Sequence, residues 1–213
     1  MTRRFRIVLV LLLAVIVLAP VLESEAHLDV GIMLGLAGLI VPAVAVVAAS
    51  DRPRIRRIAF ALAGLSVLTS VASLVHEPPP AWVAHGATLV FLAFTTVVVL
   101  RAVVRSEHVT LDVIAGALVS YVMIGLTWAI AFAAIEARWP DAIRFPPASG
   151  PAHFSDLLYF SYVTLLTIGY GDITPVSGAA RTLVIVEGLL GMAFTTVLLA
   201  VLVAKGLRDR PLR

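Results

Sequence analysis

The chain has 213 residues, 61% of them hydrophobic, and its mean hydropathy is +1.04. Soluble domains hold about 45–50% apolar residues, so a soluble globular fold is excluded and the bilayer is the expected solvent. The net charge is +3, but the basic residues stand at the ends of apolar runs, which indicates membrane topology rather than nucleic acid binding.

Six apolar stretches are long enough to cross a bilayer, because about 20 helical residues span its hydrocarbon core. We predict an all-α membrane protein with six transmembrane helices. A four-helix N-terminal membrane domain occupies residues 1–110, and a second domain occupies residues 111–213. The six stretches run over residues 5–22, 28–49, 56–75, 82–104, 111–135 and 179–204.

The first stretch has two interpretations. Its basic start, its apolar middle and a small-residue site ending at Ala26 would also fit a cleaved signal peptide. The apolar run is followed directly by Pro20, Val21 and Leu22, and a second span begins almost at once, so a retained helix is favoured. The topology of the remaining spans is the same in either case.

The basic residues predict the orientation of the spans. With the N-terminus in the cytoplasm, all but three of the 16 Lys and Arg residues fall on the cytoplasmic side. The exceptions are Arg138, Arg144 and Arg181. This asymmetry follows the positive-inside rule, so both termini are expected in the cytoplasm and the protein is expected in the cell membrane.

The connection between the last two spans is long and has two parts. Residues 136–154 include Pro140 and Pro146 and are expected to form an exposed extracellular loop. Residues 155–166 are apolar and aromatic but too short to cross the bilayer, which predicts a re-entrant helix. Ser155 is the expected N-cap of this helix, and Asp156 suits its first turn.

The pentapeptide after this helix carries the chemistry. It reads Thr167-Ile168-Gly169-Tyr170-Gly171, and it resembles the selectivity filter of potassium channels, usually written T-V/I-G-Y/F-G. Gly169 and Gly171 can reach backbone conformations closed to other residues. The resemblance extends over residues 111–205, with 111–135 as outer helix, 155–166 as pore helix and 179–204 as inner helix.

The resemblance implies a homotetrameric pore, because one loop in each chain supplies a quarter of a ring. Potassium, the transported ion, would be coordinated by the Thr167 hydroxyl and by filter carbonyls. Those carbonyls belong to Thr167, Ile168, Gly169 and Tyr170. The expected partners are potassium ions, three further copies of the chain and the lipid bilayer, without a cofactor, nucleic acid or soluble ligand domain.

Further correspondences with the family concern residues around the filter. Tyr159 and Phe160 stand where some members have paired tryptophans, which suggests an aromatic collar around Tyr170. Val163 replaces a buried glutamate that in some members bonds the residue matching Asp172. Filter inactivation that depends on that glutamate is therefore in doubt.

The simplest bacterial members have an arginine and a hinge glycine at the offsets that Arg181 and Gly191 occupy after Gly171. Gly191 is therefore the candidate for the inner-helix hinge, and Gly188 competes with it. The alternative is that these glycines allow close helix packing.

Glu187 lies inside the last span with no basic residue of that span to pair with. A carboxyl group at this depth is a functional hypothesis in itself. It could brace the pore helix through Thr164, face a water-filled cavity, or pack as a protonated side chain. Bracing is favoured.

The first four spans lack a voltage sensor's ladder of arginines. The fourth span contains Arg101, with Arg105 just beyond its end, and both suit anchoring at the inner face. The resemblance is correspondingly weak over residues 1–110. We expect a channel without strong voltage gating.

The leading function is thus a potassium-selective channel subunit. The alternatives are a weakly selective cation channel and an accessory membrane subunit that does not conduct. An enzyme is rejected, because the five histidines form no metal-spaced pair and no nucleophile is paired with a base. The absence of cysteine also excludes thiol chemistry and disulfides.

Overall fold

The computed structural model describes residues 4–25, 40–72, 81–146 and 153–208. This part of the chain is almost wholly helical, as the sequence predicts. The helices are α1 (Arg4–Glu25), α2 (Ile40–Ala49), α3 (Pro53–Ala72), α4 (Ala81–Arg105), α5 (Leu111–Arg138), α6 (Phe154–Leu165) and α7 (Gly178–Arg208).

Four helical segments are long and apolar enough to cross a membrane: α3, α4, α5 and the Gly178–Leu198 part of α7. They match the last four predicted spans, so an all-α membrane protein is confirmed. The first predicted span coincides with α1. The second begins in residues 28–39, which lie outside the described residues, and only its end is described, as α2.

The helix bounds differ from the predicted ones at several ends. The predicted third span reaches Val75, whereas the described residues stop at Ala72, the end of α3. The outer helix continues to Arg138, and the inner helix begins at Gly178 and continues to Arg208. Hydropathy reports where a helix leaves the apolar layer, whereas the backbone hydrogen bonds continue until a cap ends them.

Helix α5 is the centre of the fold. It begins at Leu111, and the hydroxyl of the N-cap residue Thr110 accepts from the backbone N–H of Val113 at 3.3 Å. Small residues along α5 let α1, α4 and α6 approach closely, and Met123 and Phe132 are fully buried in its packing. The five residues 106–110 join α4 to α5, so the two helices run antiparallel.

The starts of α1 and α5 lie together. The backbone N–H of Phe5 donates to Oδ1 of Asp112 at 3.1 Å, which satisfies a donor that the first turn of α1 leaves open. Asp51, between α2 and α3, pairs with Arg4 at 3.8 Å and Arg56 at 3.2 Å. Such exposed ion pairs add little stability, but their position shows that these basic residues share one end of the bundle.

A small sheet joins the chain before α6 to the chain after residues 167–171. Strands β1 (Ile143–Arg144) and β2 (Thr174–Pro175) pair antiparallel. The described part of the predicted loop, residues 136–146, therefore contains the end of α5 and a strand. Glu136, in the last turn of α5, accepts from the backbone N–H groups of Asp141 and Ile143 at 2.9 Å each. Ile143 is buried in a cluster with residues of α5, α6 and α7.

Candidate functional site

The re-entrant helix α6 is 12 residues long, about 18 Å at 1.5 Å per residue. Its N-cap is His153, and the carboxylate of Asp156 accepts from the His153 backbone N–H at 3.0 Å. The prediction of Ser155 as N-cap is wrong by two residues. The prediction failed because the carboxylate of Asp156, in the first turn of α6, accepts from the backbone of His153 and so fixes the start of the helix there.

The pentapeptide that follows is anchored to the last turn of α6 by its backbone. The carbonyl of Val163 accepts from the N–H of Ile168 at 2.9 Å and of Gly169 at 3.3 Å, and that of Thr164 accepts from Thr167 at 2.9 Å. A trans peptide bond holds its oxygen opposite its N–H, and the described residues contain no cis bond. The carbonyl groups of those three peptide bonds, which belong to Leu166, Thr167 and Ile168, therefore point away from α6.

Every second residue of the pentapeptide has a positive φ. The values are 59° at Thr167, 61° at Gly169 and 80° at Gly171. Because left-handed and right-handed backbone conformations alternate along the pentapeptide, successive peptide planes keep similar orientations. Their carbonyls can therefore share one side of the chain. Glycine adopts these angles readily, whereas a β-branched threonine at φ 59° is strained by about 1–3 kcal/mol.

Residues 167–171 are all exposed in the single chain, and Tyr170 is 68% exposed. The neighbouring helix α7 is also largely uncovered, with Ile185, Leu189 and Met192 each about 60% exposed. The pentapeptide and the neighbouring apolar helix are thus both largely exposed in the single chain.

Two aromatic side chains lie near the outer end of the segment. Tyr159 donates from its hydroxyl to Oδ2 of Asp172 at 2.8 Å, and this bond lowers the pKa of Asp172 below its ordinary value. The Tyr159 ring stacks parallel to that of Tyr170, with centroids 6.5 Å apart. The predicted collar does not include Phe160 within one chain, because that ring is buried against Phe132 at 4.9 Å.

The rear of α6 is held by side chains that the sequence analysis did not single out. Tyr162 donates to the carbonyl of Val122 on α5 at 2.7 Å. Its ring occupies the space that a side chain at Gly125 would need. Tyr121, also on α5, donates to the carbonyl of Leu165 at 3.2 Å.

Glu187 also lies behind α6. Its Oε1 is 2.6 Å from the hydroxyl of Ser161, so the predicted partner, Thr164, is wrong by one turn of helix. The Glu187 side chain is fully buried within one copy of the chain. The cavity-facing interpretation is therefore wrong, because burial keeps the carboxyl group away from any aqueous path.

The two candidate hinge glycines have different surroundings. A Cβ added at Gly191 would lie 2.5 Å from the carbonyl oxygen of Leu165 and 2.9 Å from its Cδ1. Gly191 is thus a point of close contact between α7 and the end of α6. A Cβ at Gly188 would meet nothing within 4 Å.

The described residues contain no group of three or more acidic, histidine or cysteine side chains that could hold a metal ion. The exposed carbonyls of the pentapeptide are the oxygen ligands at hand. Carbonyl oxygens can substitute for the hydration shell of a monovalent cation. The arrangement can therefore coordinate a cation without any charged ligand.

Comparison with known proteins places residues 124–207 in a family described as "Ion channel". The chain is 40% identical over 88 residues to two pore potassium channel c of Oryza sativa subsp. japonica, covering 41% of this chain and 17% of that protein. It is 48% identical over 42 residues to inward rectifier potassium channel Kirbac3.1 of Paramagnetospirillum magnetotacticum, covering 20% and 14%.

A third relative is protein LctB of Geobacillus stearothermophilus, 35% identical over 77 residues, with 34% of this chain and 57% of that protein covered. The chain thus matches less than two thirds of the length of each of these relatives. No solved structure matches it. Two of these relatives are named as potassium channels, and the family match covers the later part of α5, helix α6, the pentapeptide and α7. Residues 124–207 are therefore similar to ion channels, and the two relatives named as channels are potassium channels.

Proposed function

We propose that the chain is a subunit of a potassium-selective channel that conducts K⁺ passively through a filter formed by residues 167–171. The observation that carries the proposal is the backbone geometry of this segment. The N–H groups bonded back to α6 direct the carbonyls of Thr167 and Ile168 away from the pore helix, and the alternating positive φ at Thr167, Gly169 and Gly171 allows the following carbonyls to share that side. Carbonyls of Thr167 to Tyr170 and the Thr167 hydroxyl would then replace water around K⁺.

The channel is a homotetramer in this proposal. One copy supplies one strip of carbonyls, and a ring of four strips surrounds an ion. The exposed apolar face of α7 fits the same arrangement, because apolar side chains facing neighbouring copies and lipid need no polar cover. Residues 111–213 form the pore domain, and residues 1–110 form a membrane domain around it.

The filter support consists of Tyr159 and Asp172 at the outer end, Phe160 and Thr164 within α6, and Glu187 on α7. Gly191 acts in this proposal as a packing position rather than as a hinge, because its missing side chain admits the end of α6. Gly188 has the open surroundings that a hinge requires. Tyr162 and Tyr121 add rear support to the same helix.

Both termini face the cytoplasm of the cell in this proposal. The end of the bundle that carries Arg4, Arg56 and Arg105 is the cytoplasmic end, following the positive-inside rule. Strong voltage gating is not expected. Arg101 and Arg105 are exposed at the end of α4, and the buried residues of that helix are apolar or threonine.

Potassium flux from the purified full-length chain in liposomes tests the proposal. We expect K⁺ flux with little Na⁺ flux. Gly169→Ala should abolish K⁺ flux while the protein still assembles, because alanine disfavours φ 61°. The matched control is Gly64→Ala in α3, where an added Cβ meets nothing within 4 Å. Equal Na⁺ and K⁺ flux would indicate a weakly selective channel, and no flux would indicate an accessory subunit.

A further inference from the structure

The hydroxyl of Ser161 lies between oxygen atoms of two other helices. Its Oγ is 2.6 Å from Oε1 of Glu187 on α7 and 2.8 Å from the carbonyl oxygen of Gly125 on α5. A serine hydroxyl has one proton to donate, and a backbone carbonyl has none. Each contact has its own proton only if Glu187 carries one and donates it to Ser161, which then donates to Gly125.

The surroundings of Glu187 favour the protonated form for a separate reason. Its side chain is fully buried, and Oε2 has no hydrogen-bond partner among the described residues. A buried carboxylate needs a counter-charge or several donors, whereas a neutral acid needs far less. None of the described Lys, Arg or His residues forms a salt bridge with Glu187.

The titratable groups that face Glu187 supply no positive charge. They are Tyr121 from α5 and Tyr162 from α6. Both hydroxyls donate elsewhere, to the carbonyls of Leu165 and Val122. On α7, the nearest charged residue is the exposed Arg181, whose Nε points to the carbonyl of Pro175 at 3.4 Å.

We infer that Glu187 is a proton-bearing positioning residue, whose carboxyl proton begins a hydrogen-bonded chain from Glu187 through Ser161 to the carbonyl of Gly125. This chain joins α7, α6 and α5 directly behind the filter. The inference rests on the proposed channel function and deepens it, because it assigns a protonation state and a direction to the contact that supports α6.

Loss of the proton changes the contact at Ser161. The hydroxyl then donates to the carboxylate, and two acceptor oxygens, those of Ser161 and Gly125, face each other without a proton between them. The bond from α6 to α5 is therefore lost two residues before Val163, whose carbonyl anchors the filter. Alkaline pH should loosen the filter, and neutral or acidic pH should preserve it.

Infrared spectroscopy of the purified full-length protein tests the proton directly. At neutral pH the wild type should show a carbonyl band of a protonated carboxylic acid that Glu187→Gln lacks. The control Glu107→Gln removes an exposed carboxyl group between α4 and α5 and should leave this band unchanged. If Glu187→Gln removes only carboxylate bands, Glu187 is ionised and the inference is wrong.

A second variant covers the case in which Glu187→Gln does not assemble. Ser161→Ala removes the acceptor of the Glu187 proton, so the acid band should shift. Thr182→Val removes an exposed hydroxyl of α7 that bonds its own helix, and it should leave the band in place. A carboxylic acid band that is unchanged in Ser161→Ala would overturn the inference.

Flux measurements test the consequence. Potassium flux of the wild type should fall as pH is raised to alkaline values, whereas Glu187→Gln, which retains a donor toward Ser161, should keep its flux. A parallel fall in both proteins would reject the role of this proton in the filter. A protein that shows the acid band but passes no potassium at any pH supports the proton assignment and rejects the channel function.

Discussion

The hydroxyl of Tyr159 donates a 2.8 Å hydrogen bond to the carboxylate of Asp172, the residue directly after the filter segment. The same ring lies parallel to Tyr170, with 6.5 Å between centroids. One side chain of α6 therefore contacts the end of the proposed filter at two points, Asp172 and Tyr170. In some potassium channels a glutamate at the position of Val163 bonds this aspartate, and here Tyr159 provides the contact from the same helix.

Tyr159→Phe should weaken the outer filter while leaving the fold intact. Phenylalanine keeps the ring stacked on Tyr170 but removes the bond that lowers the pKa of Asp172. Because the pKa of the folded state is lowered, the stabilisation is present above the ordinary carboxyl pKa and is lost as pH falls through the lowered value. Potassium flux at falling external pH should therefore fail at a higher pH in Tyr159→Phe than in the wild type.

Asp172→Asn provides the control for this prediction. The amide cannot ionise, so its flux should lose the acid-dependent component whether residue 159 is tyrosine or phenylalanine. If wild type and Tyr159→Phe lost flux at the same pH, the bond between Tyr159 and Asp172 would have no part in holding the filter.

Gly191→Ala should destabilise the pore region by about 1–3 kcal/mol, the usual effect of overpacking. The added methyl group would lie 2.5 Å from the backbone oxygen of Leu165, which cannot move without shifting α6. Gly188→Ala meets nothing within 4 Å and should stabilise α7 slightly, by up to about 1 kcal/mol of helix propensity.

Thermal unfolding in detergent would measure both glycine variants. Equal melting temperatures for Gly191→Ala and the wild type, with altered channel opening, would favour Gly191 as a hinge instead of a packing position.

The comparison of these two glycines shows what sequence can predict here. Offsets from the filter identify Gly191 and Gly188 as candidates, and hydropathy locates the spans because the bilayer demands long apolar helices. Neither signal reveals the neighbour of a residue. Ser161 and Glu187 are 26 residues apart, and β1 and β2 are separated by the whole of α6. Contacts of this kind depend on packing geometry that no local pattern encodes.

Open probability should depend only weakly on voltage. Moving one elementary charge through 100 mV is worth about 2.3 kcal/mol, and α4 offers only Arg101 and Arg105 at its exposed end. Arg101→Gln should therefore leave the slope of the conductance–voltage relation unchanged. Single-channel recording in planar bilayers gives that slope. A steep relation that becomes shallower in Arg101→Gln would show that α4 senses voltage.

Glu136→Ala should loosen the strand that pairs with the segment after the filter. The Glu136 carboxylate accepts from the N–H groups of Asp141 and Ile143 at 2.9 Å each, and each such bond contributes about 1 kcal/mol. Asp141, at φ 65°, depends on this contact to keep a strained backbone. Because β1 pairs with β2 and the carbonyl of Ala142 accepts from the N–H groups of Val176 and Ser177, the effect should reach both segments.

Hydrogen exchange should be faster in residues 141–144 and 174–177 of Glu136→Ala. The exposed variant Glu107→Ala, which lies at the other end of α5, should exchange there like the wild type. Faster exchange confined to residues 141–144 would show that the hydrogen bonds of Glu136 do not stabilise the segment after residues 167–171.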